Sequence, residues 1–261
     1  MIINNKHIKV RRFNSGEMRL LFDDFRPLAQ DGKMEILYEG EETLFELFVI
    51  VKFLQDKKMK VSLTLAYLPY QRMDHNNGYE ASTLKYVAEL FNSLKLQNLK
   101  VCEPHCSVDL FKNAKAISIV DAIYAKVTKE MGFDEEKDYI VFTDKGAQER
   151  YSHLGKNHIY FQKERDLKSG QIVSHKMIGK ILPKRKVLLI DDIISSGATI
   201  INCAKMMGKT NFSIISGHFE KNKLNNRVLE LENVQKVFSS NSLTKKSHND
   251  KLVLFDVKDL I

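Results

Sequence analysis

The chain has 261 residues, 43% of them hydrophobic and 28% charged, with a formal net charge of +8; this is enough for one large or two modest domains of a soluble globular protein. Its longest apolar run, Leu44 to Leu54, is broken by Glu46 and Lys52 and is too short to span a bilayer, and no signal-peptide core follows Met1, so no membrane is expected and the cytoplasm is the default location. The basic residues are scattered without interleaved aromatics, which argues against a nucleic-acid partner and for a surface that attracts small polyphosphates.

In chain order, residues 6–13 alternate polar and apolar and predict a strand running into the turn Asn14-Ser15-Gly16-Glu17. Glu35 to Tyr38 is a short strand, and Thr43 to Asp56 a helix with Leu44, Leu47, Val51 and Leu54 on one face. Val61 to Tyr70 is a buried strand closed by Pro69, Ala81 to Leu94 an amphipathic helix, and Leu99 to Glu103 a strand closed by Pro104. The alternation then restarts with a helix at Val120 to Met131, a strand at Tyr139 to Thr143, a short helix at Ala147 to Leu154, a strand at His158 to Gln162 and a polar segment from Lys163 to Gln171. Val187 to Ile190 is a buried strand; Asp191, Asp192, the small-residue turn Ser195 to Thr199 and a helix from Ile200 to Met207 come after it. A strand at Phe212 to His218, a helix at Leu224 to Leu231 and strands at Val234 to Phe238 and Leu252 to Phe255 complete the chain.

This alternation predicts an α/β fold of mainly parallel sheets flanked by helices. The restart near residue 118 predicts two domains, 1–118 and 119–261, with the last ten or so residues available to pack back on the first. Ligands of open parallel sheets sit at the carboxyl ends of the strands. Phe13, Tyr70, Glu103, Thr143, Gln162 and Ile190 each precede a polar cluster at such an end.

Two tempting motifs are set aside. Cys102, His105 and Cys106 lack a second pair at ligand spacing, so no structural zinc is expected, and three sparse cysteines imply no disulfide framework. Gly208-Lys209-Thr210 imitates the end of a Walker A motif, but Cys203 stands where its first glycine belongs and no strand precedes it.

The turn Ser195-Ser196-Gly197-Ala198-Thr199 offers hydroxyls and amides at a helix N-terminus, which suits a phosphate, while Asp191 and Asp192 suit the hydroxyls of a sugar that carries one. The stretch resembles the phosphoribosyl-diphosphate loop of the type I phosphoribosyltransferase fold, usually Asp-Asp-x-x-x-Thr-Gly-Gly-Thr. Five further stretches are Phe13 to Glu17, Pro69 to His75, Glu103-Pro104-His105, Asp144 to Arg150 and Lys163-Glu164-Arg165. With them, in order over nearly the whole chain, the sequence resembles the ribose-phosphate diphosphokinase (phosphoribosyl pyrophosphate synthetase) family. It is similar to a short, divergent member, of the kind that phage-type NAD-rebuilding pathways use to make ADP-ribose pyrophosphate.

The resemblance implies two tandem type I phosphoribosyltransferase-like domains, the first on the ATP side and the second on the ribose-phosphate side. Phe13 would stack on adenine with Ser15 and Glu17 near it, on a turn supplied to a neighbouring subunit, which implies at least a homodimer with shared active sites. Arg72, Asp74 and His75 would lie along the ATP phosphates. His105 would contact the nucleotide-bound Mg²⁺ and Asp144 the sugar-side Mg²⁺. Lys163 and Arg165, on a segment closing over the reaction, would act on the transferring group. Asp191 and Asp192 would hold ribose hydroxyls, and Ser195, Ser196, Gly197, Ala198 and Thr199 the 5-phosphate.

The activity implied is transfer of the β,γ-diphosphoryl group of ATP to the anomeric hydroxyl of a ribose 5-phosphate moiety, releasing AMP. A phosphoribosyltransferase shares the Asp-Asp loop but not the Phe13 turn, the Arg72 cluster or the doubled α/β body. A catalytically inactive regulatory subunit would have no need of His105, Lys163, Arg165, Asp191 and Asp192. The departures from the family pattern bear on specificity: Ser15 for an acidic residue, Met73 for an amide, His75 for a fixed cation, and Ala147, Ser196 and Ala198 in the glycine- and threonine-rich turns. The chain also starts just before the Phe13 strand, without the family's usual leading strand and helix. An acceptor larger than ribose 5-phosphate, ADP-ribose, is therefore expected alongside it.

Overall fold

A computed structural model describes residues 1–40, 43–75, 81–165, 172–221 and 227–261; for 163–165 and 172–175 the backbone alone is described. The chain divides into two compact units, Met1–Ile117 and Ser118–Ile261. Among the described residues no helix is long and apolar enough to cross a membrane.

The first unit comprises β1 (Ile2–Ile3), β2 (Lys6–His7), β3 (Arg11–Arg12), β4 (Met18–Arg19), α1 (Phe22–Phe25), β5 (Lys33–Tyr38), α2 (Leu44–Asp56), β6 (Lys60–Leu65), α3 (Thr83–Ser93), β7 (Leu99–Cys102) and β8 (Ala114–Ile117). Its main sheet runs β2-β1-β5-β6-β7-β8, parallel from β5 to β8. Helix α2 starts at a capping box, in which Thr43 Oγ1 accepts the Glu46 amide and Glu46 accepts the Thr43 amide. Its buried face, Leu47, Ile50, Val51 and Leu54, packs in one core with Leu84, Val87 and Phe91 of α3 and the inward residues of the sheet.

The second unit comprises α4 (Ile119–Met131), β9 (Tyr139–Phe142), α5 (Lys145–Tyr151), β10 (His158–Arg165), β11 (Ile172–Ile178), β12 (Val187–Ile194), α6 (Ala198–Met207), β13 (Phe212–Phe219), β14 (Val234–Ser240) and β15 (Leu252–Phe255). The sheet order is β11-β10-β9-β12-β13-β14-β15; β11 alone among these runs antiparallel to its neighbour. Every residue of β13 is buried, as a central parallel strand requires. The buried carboxylate of Asp138 accepts the amides of Asp134 and Lys186, both at 2.9 Å, and so ties together the starts of β9 and β12.

Several elements differ from the sequence reading. The alternation over residues 6–13 is split: Lys6–His7 pairs back on β1 through a tight turn at Asn4 and Asn5 (φ 45° and 64°), whereas Arg11–Arg12 forms a separate hairpin with β4. Ile2 and Ile3, outside any expected strand, form a buried strand against β5. The strand expected to reach Tyr70 stops at Leu65, where its pairing with Tyr38 runs out. Conversely, β12 continues past Ile190 to Ile194 because β13 keeps pairing with it, so Asp191 and Asp192 lie inside the strand. Of the expected polar segment Lys163 to Gln171, residues 163–165 form the end of β10 and residues 166–171 lie outside the described residues; β11 follows directly, where no strand was expected. Of the helix expected at Leu224 to Leu231, residues 222–226 also lie outside the described residues; residues 227–229 are helical. Strand β8, with Ala114 and Ala116 as its small residues, has no counterpart in the sequence reading.

Candidate active site

In the first unit the polar residues gather after β6 and β7. The chain leaves β6 through a turn with Tyr70 at φ 63°, and the side chain of Gln71, fully buried, accepts the backbone amide of His105 at 2.8 Å. One buried amide thus fixes the loop bearing Arg72, Asp74 and His75 to the loop bearing His105. Arg72, His75 and His105 are exposed, and His75 Nε2 lies 3.5 Å from the Asp74 carboxylate. Ser82 donates to the Asp74 carbonyl at 3.1 Å, tying this loop to the start of α3. Cys102, buried directly before Glu103, has its thiol pushed up to about 12 by burial and then by the Glu103 charge, which suits it neither to metal binding nor to nucleophilic chemistry.

Phe13 stands at the tip of the β3–β4 hairpin, 52% exposed. The turn is closed by the bonds Phe13 N to Glu17 O and Gly16 N to Phe13 O, both 2.9 Å, and Ser15 Oγ donates to the Glu17 carboxylate at 2.9 Å. Arg12 donates to the Gly16 carbonyl and pairs with Glu46 of α2, anchoring the hairpin, and Arg19 lies 5.8 Å from the centre of the Phe13 ring.

In the second unit the polar residues gather at the carboxyl ends of β9 and β12. Asp144 caps α5, its Oδ1 accepting the Ala147 amide at 3.0 Å. Asp192, 4% exposed, accepts from Arg150 of α5 at 2.9 Å. Asp191 is partly buried and accepts the Asp192 amide at 3.0 Å. Burial, then the charge of Asp192, and more weakly that of Asp144, push the Asp191 carboxyl well above the usual carboxylate range. These three acids therefore share one electrostatic environment. A cavity of about 470 Å³ opens beside Asp144, lined also by Lys145, Gln148, Tyr160 and Gln162.

From β12 the chain turns at Gly197 (φ 75°), a left-handed conformation that glycine adopts without strain, and α6 begins at Ala198. Ser196 and Ala198 are exposed, and Ser196 Oγ accepts the Ala198 amide at 3.4 Å. Ser195 Oγ donates to the Glu220 carboxylate at 2.5 Å, and the Glu220 amide donates to Ile194 O at 3.0 Å. Lys163 and Arg165 lie on the backbone of β10 opposite His175 and Ile172 of β11, with a register shift between Glu164 and Arg165.

Each unit thus brings its share of the expected residues to one end of its sheet: Arg72, Asp74, His75 and His105 in the first, Asp144, Asp191, Asp192 and residues 195–199 in the second. Phe13, Ser15 and Glu17 stand apart on their hairpin. Among the described residues no group of three or more His, Cys, Asp or Glu side chains is arranged to hold a metal ion. Sequence reasoning missed Gln71, Arg150 and Glu220 as supports. Gln71 and Arg150 lie inside quoted stretches, but their supporting roles, and Glu220 altogether, are recognisable only once the loops they hold are in place.

No family model matches the sequence. Among curated proteins, the ribose-phosphate pyrophosphokinase of Sulfurisphaera tokodaii is 30% identical over 179 residues, 66% of this chain and 61% of that protein. That of Sulfolobus acidocaldarius is 29% identical over 180 residues, 66% of this chain and 62% of the relative. The match thus spans about three-fifths of the length of these two relatives. That of Methanobrevibacter smithii is 28% identical over 223 residues, 77% of this chain and 72% of its own. Among solved structures, phosphoribosylpyrophosphate synthetase from Mycobacterium smegmatis superposes with a TM-score of 0.75 over 97% of this chain and 86% of that one, at 17% identity, which bears on the fold.

Proposed function

We propose, from its similarity to ribose-phosphate pyrophosphokinases, that the chain is a member of that family and an ATP-dependent diphosphokinase. It transfers the β,γ-diphosphoryl group of ATP to the anomeric hydroxyl of a ribose 5-phosphate moiety and releases AMP. The observation that carries this reading is the arrangement on β12: two acids at the strand's end, a left-handed glycine turn rich in hydroxyls, and a helix start. Such a turn suits a phosphate and such acids suit the sugar that carries it. The loop alone would also suit a phosphoribosyltransferase. The first unit, with Gln71 coupling the Arg72 and His105 loops, favours the diphosphokinase.

Diphosphoryl transfer demands positioning and charge neutralisation more than covalent participation. Arg72 and His75 are assigned to the ATP phosphates with Asp74 beside them, and Phe13, Ser15 and Glu17 to the adenine of a neighbouring subunit's nucleotide. The exposure of Phe13 on an anchored hairpin supports that use and a homo-oligomer of at least two chains. Lys163 and Arg165 are assigned to the transferring group, Arg as a bidentate donor and Lys as a point charge.

Mg²⁺ is the proposed cofactor, and the residues fit it. Asp144 stands at the end of β9, and the like charges it shares with Asp191 and Asp192 are of the kind that a hard, oxygen-seeking cation relieves. His105, exposed on its loop, would meet the nucleotide-bound ion. When bound, Mg²⁺ would neutralise charge on the phosphate oxygens.

The acceptor is ribose 5-phosphate or ADP-ribose; the exposed Cβ of Ala198, where the family has glycine, supports a cradle reshaped for the larger one. Purified protein is incubated with Mg-ATP and each acceptor, and AMP and the diphosphorylated product are quantified. AMP formation with neither acceptor sinks the assignment; background turnover with ADP-ribose alone removes that acceptor.

A further inference from the structure

We propose that Glu220 is a positioning residue that holds the phosphate loop in its binding shape through Ser195; the proposal rests on the diphosphokinase reading of that loop. Strands β12 and β13 pair in register as far as Ile194 opposite Phe219, and the Glu220 amide adds one further bond to Ile194 O. Glu220 therefore stands where the sheet ends and the loop leaves it. Its carboxylate receives the Ser195 hydroxyl at 2.5 Å, a partly buried, charge-assisted bond of the strong kind.

A carboxylate can only accept, so in this arrangement the Ser195 hydroxyl proton is committed to Glu220 and that hydroxyl presents no donor hydrogen to a phosphate. Ser195 becomes the loop's anchor. The donors left to a ligand are the hydroxyls of Ser196 and Thr199 and the amides of the helix start. Two positions beyond the anchor stands Gly197, a residue type with more backbone freedom than any other, and α6 does not begin until Ala198. Without the anchor this short span would lose its tie to β13. Ordering a loose loop residue costs conformational entropy, which an acceptor would otherwise have to supply on binding. Arg150 holds Asp192 from the α5 side of β12, and Glu220 holds Ser195 from the β13 side.

The test compares Glu220→Ala, Glu220→Gln and Ser195→Ala. Loss of the brace should raise the acceptor KM roughly tenfold in Glu220→Ala and in Ser195→Ala, with kcat and the ATP KM little changed, as expected for a charge-assisted hydrogen bond. Glu220→Gln keeps an acceptor oxygen and should stay within roughly threefold of wild type. The double variant Glu220→Ala/Ser195→Ala should be no worse than either single one. A wild-type acceptor KM in Glu220→Ala overturns the proposal, and so does a Glu220→Gln enzyme as impaired as Glu220→Ala, which would assign the effect to charge. Should Glu220→Ala fail to fold, hydrogen exchange of Ser195→Ala without acceptor, where a direct phosphate contact plays no part, decides instead. Hydrogen exchange at the amides of residues 195–199 gives a readout without turnover: it should quicken in Glu220→Ala and Ser195→Ala, and unchanged protection overturns the brace. A wild-type enzyme inactive on both acceptors defeats the diphosphokinase reading, while the exchange result still judges the brace.

Discussion

Arg150→Met is the most informative single perturbation of the acceptor side. Asp192 is 4% exposed and receives Arg150 at 2.9 Å, so the substitution takes the neutralising charge from a carboxylate in a nearly dry setting. Breaking one side of a fully buried pair costs about 3–5 kcal/mol. The Arg150 side chain is itself 30% exposed, so water reaches the vacated position and the cost falls to about 2 kcal/mol. For a unit the size of residues 118–261 this lowers Tm by about 4–8 °C. Methionine keeps most of the aliphatic stem, so the loss reports the charge contact and not a cavity. Arg150→Met/Asp192→Asn removes the buried charge and should recover most of the lost Tm, with acceptor turnover still impaired. Calorimetry of wild type, both single variants and the double variant at pH 7 decides. A Tm within about 1 °C of wild type for Arg150→Met, or a double variant no better than it, refutes the reasoning.

Asp191→Asn should stabilise the protein at neutral pH while abolishing acceptor use. Because folding raises the Asp191 carboxyl above its unfolded value, its contribution to stability is present in full at acid pH and is lost as pH rises through the folded value. The Tm gap between variant and wild type should therefore be clear at pH 7 and close below about pH 4, and a gap independent of pH counts against the assigned environment. Phe13→Ala should leave Tm within about 1 °C, since the ring is exposed, yet raise the ATP KM severalfold in steady-state kinetics. Gln71→Ala, which releases the His105 amide, should weaken Mg-ATP binding in titration calorimetry more than acceptor binding. Lys163→Ala and Arg165→Ala should lower kcat by orders of magnitude with ATP binding mostly intact; a rate unchanged by both refutes their roles.

The α/β class was legible because buried parallel strands are written as apolar runs: Val187-Leu188-Leu189-Ile190 is hard to read otherwise, and Leu44 to Leu54 shows its helical face plainly. Strand ends were not legible. Pairing with β13 carries β12 through Asp191 and Asp192, residues whose own propensity says stop, and loss of a partner ends β6 at Leu65 although Ala66, Tyr67 and Leu68 read as strand. The same limit applies to the candidate site. Phe13, Arg72, His105 and Asp144 stand out because chemistry selects their residue types. Gln71 and Glu220 act only through a neighbour brought close by the fold, and the bonds from Gln71 to His105 and from Glu220 to Ser195 span 34 and 25 positions.

The arrangement of strands also has a consequence for biosynthesis. Every strand of the first main sheet comes from residues 2–117, so its hydrogen bonding can be complete while the rest of the chain is still being made. The second sheet has no such opportunity. Its edge strand β15 spans Leu252–Phe255, and until residue 255 has left the ribosome β14 presents an unpaired edge to other nascent chains. The unit assigned to ATP would mature early, and the unit assigned to the acceptor would be the one exposed to aggregation and to chaperones.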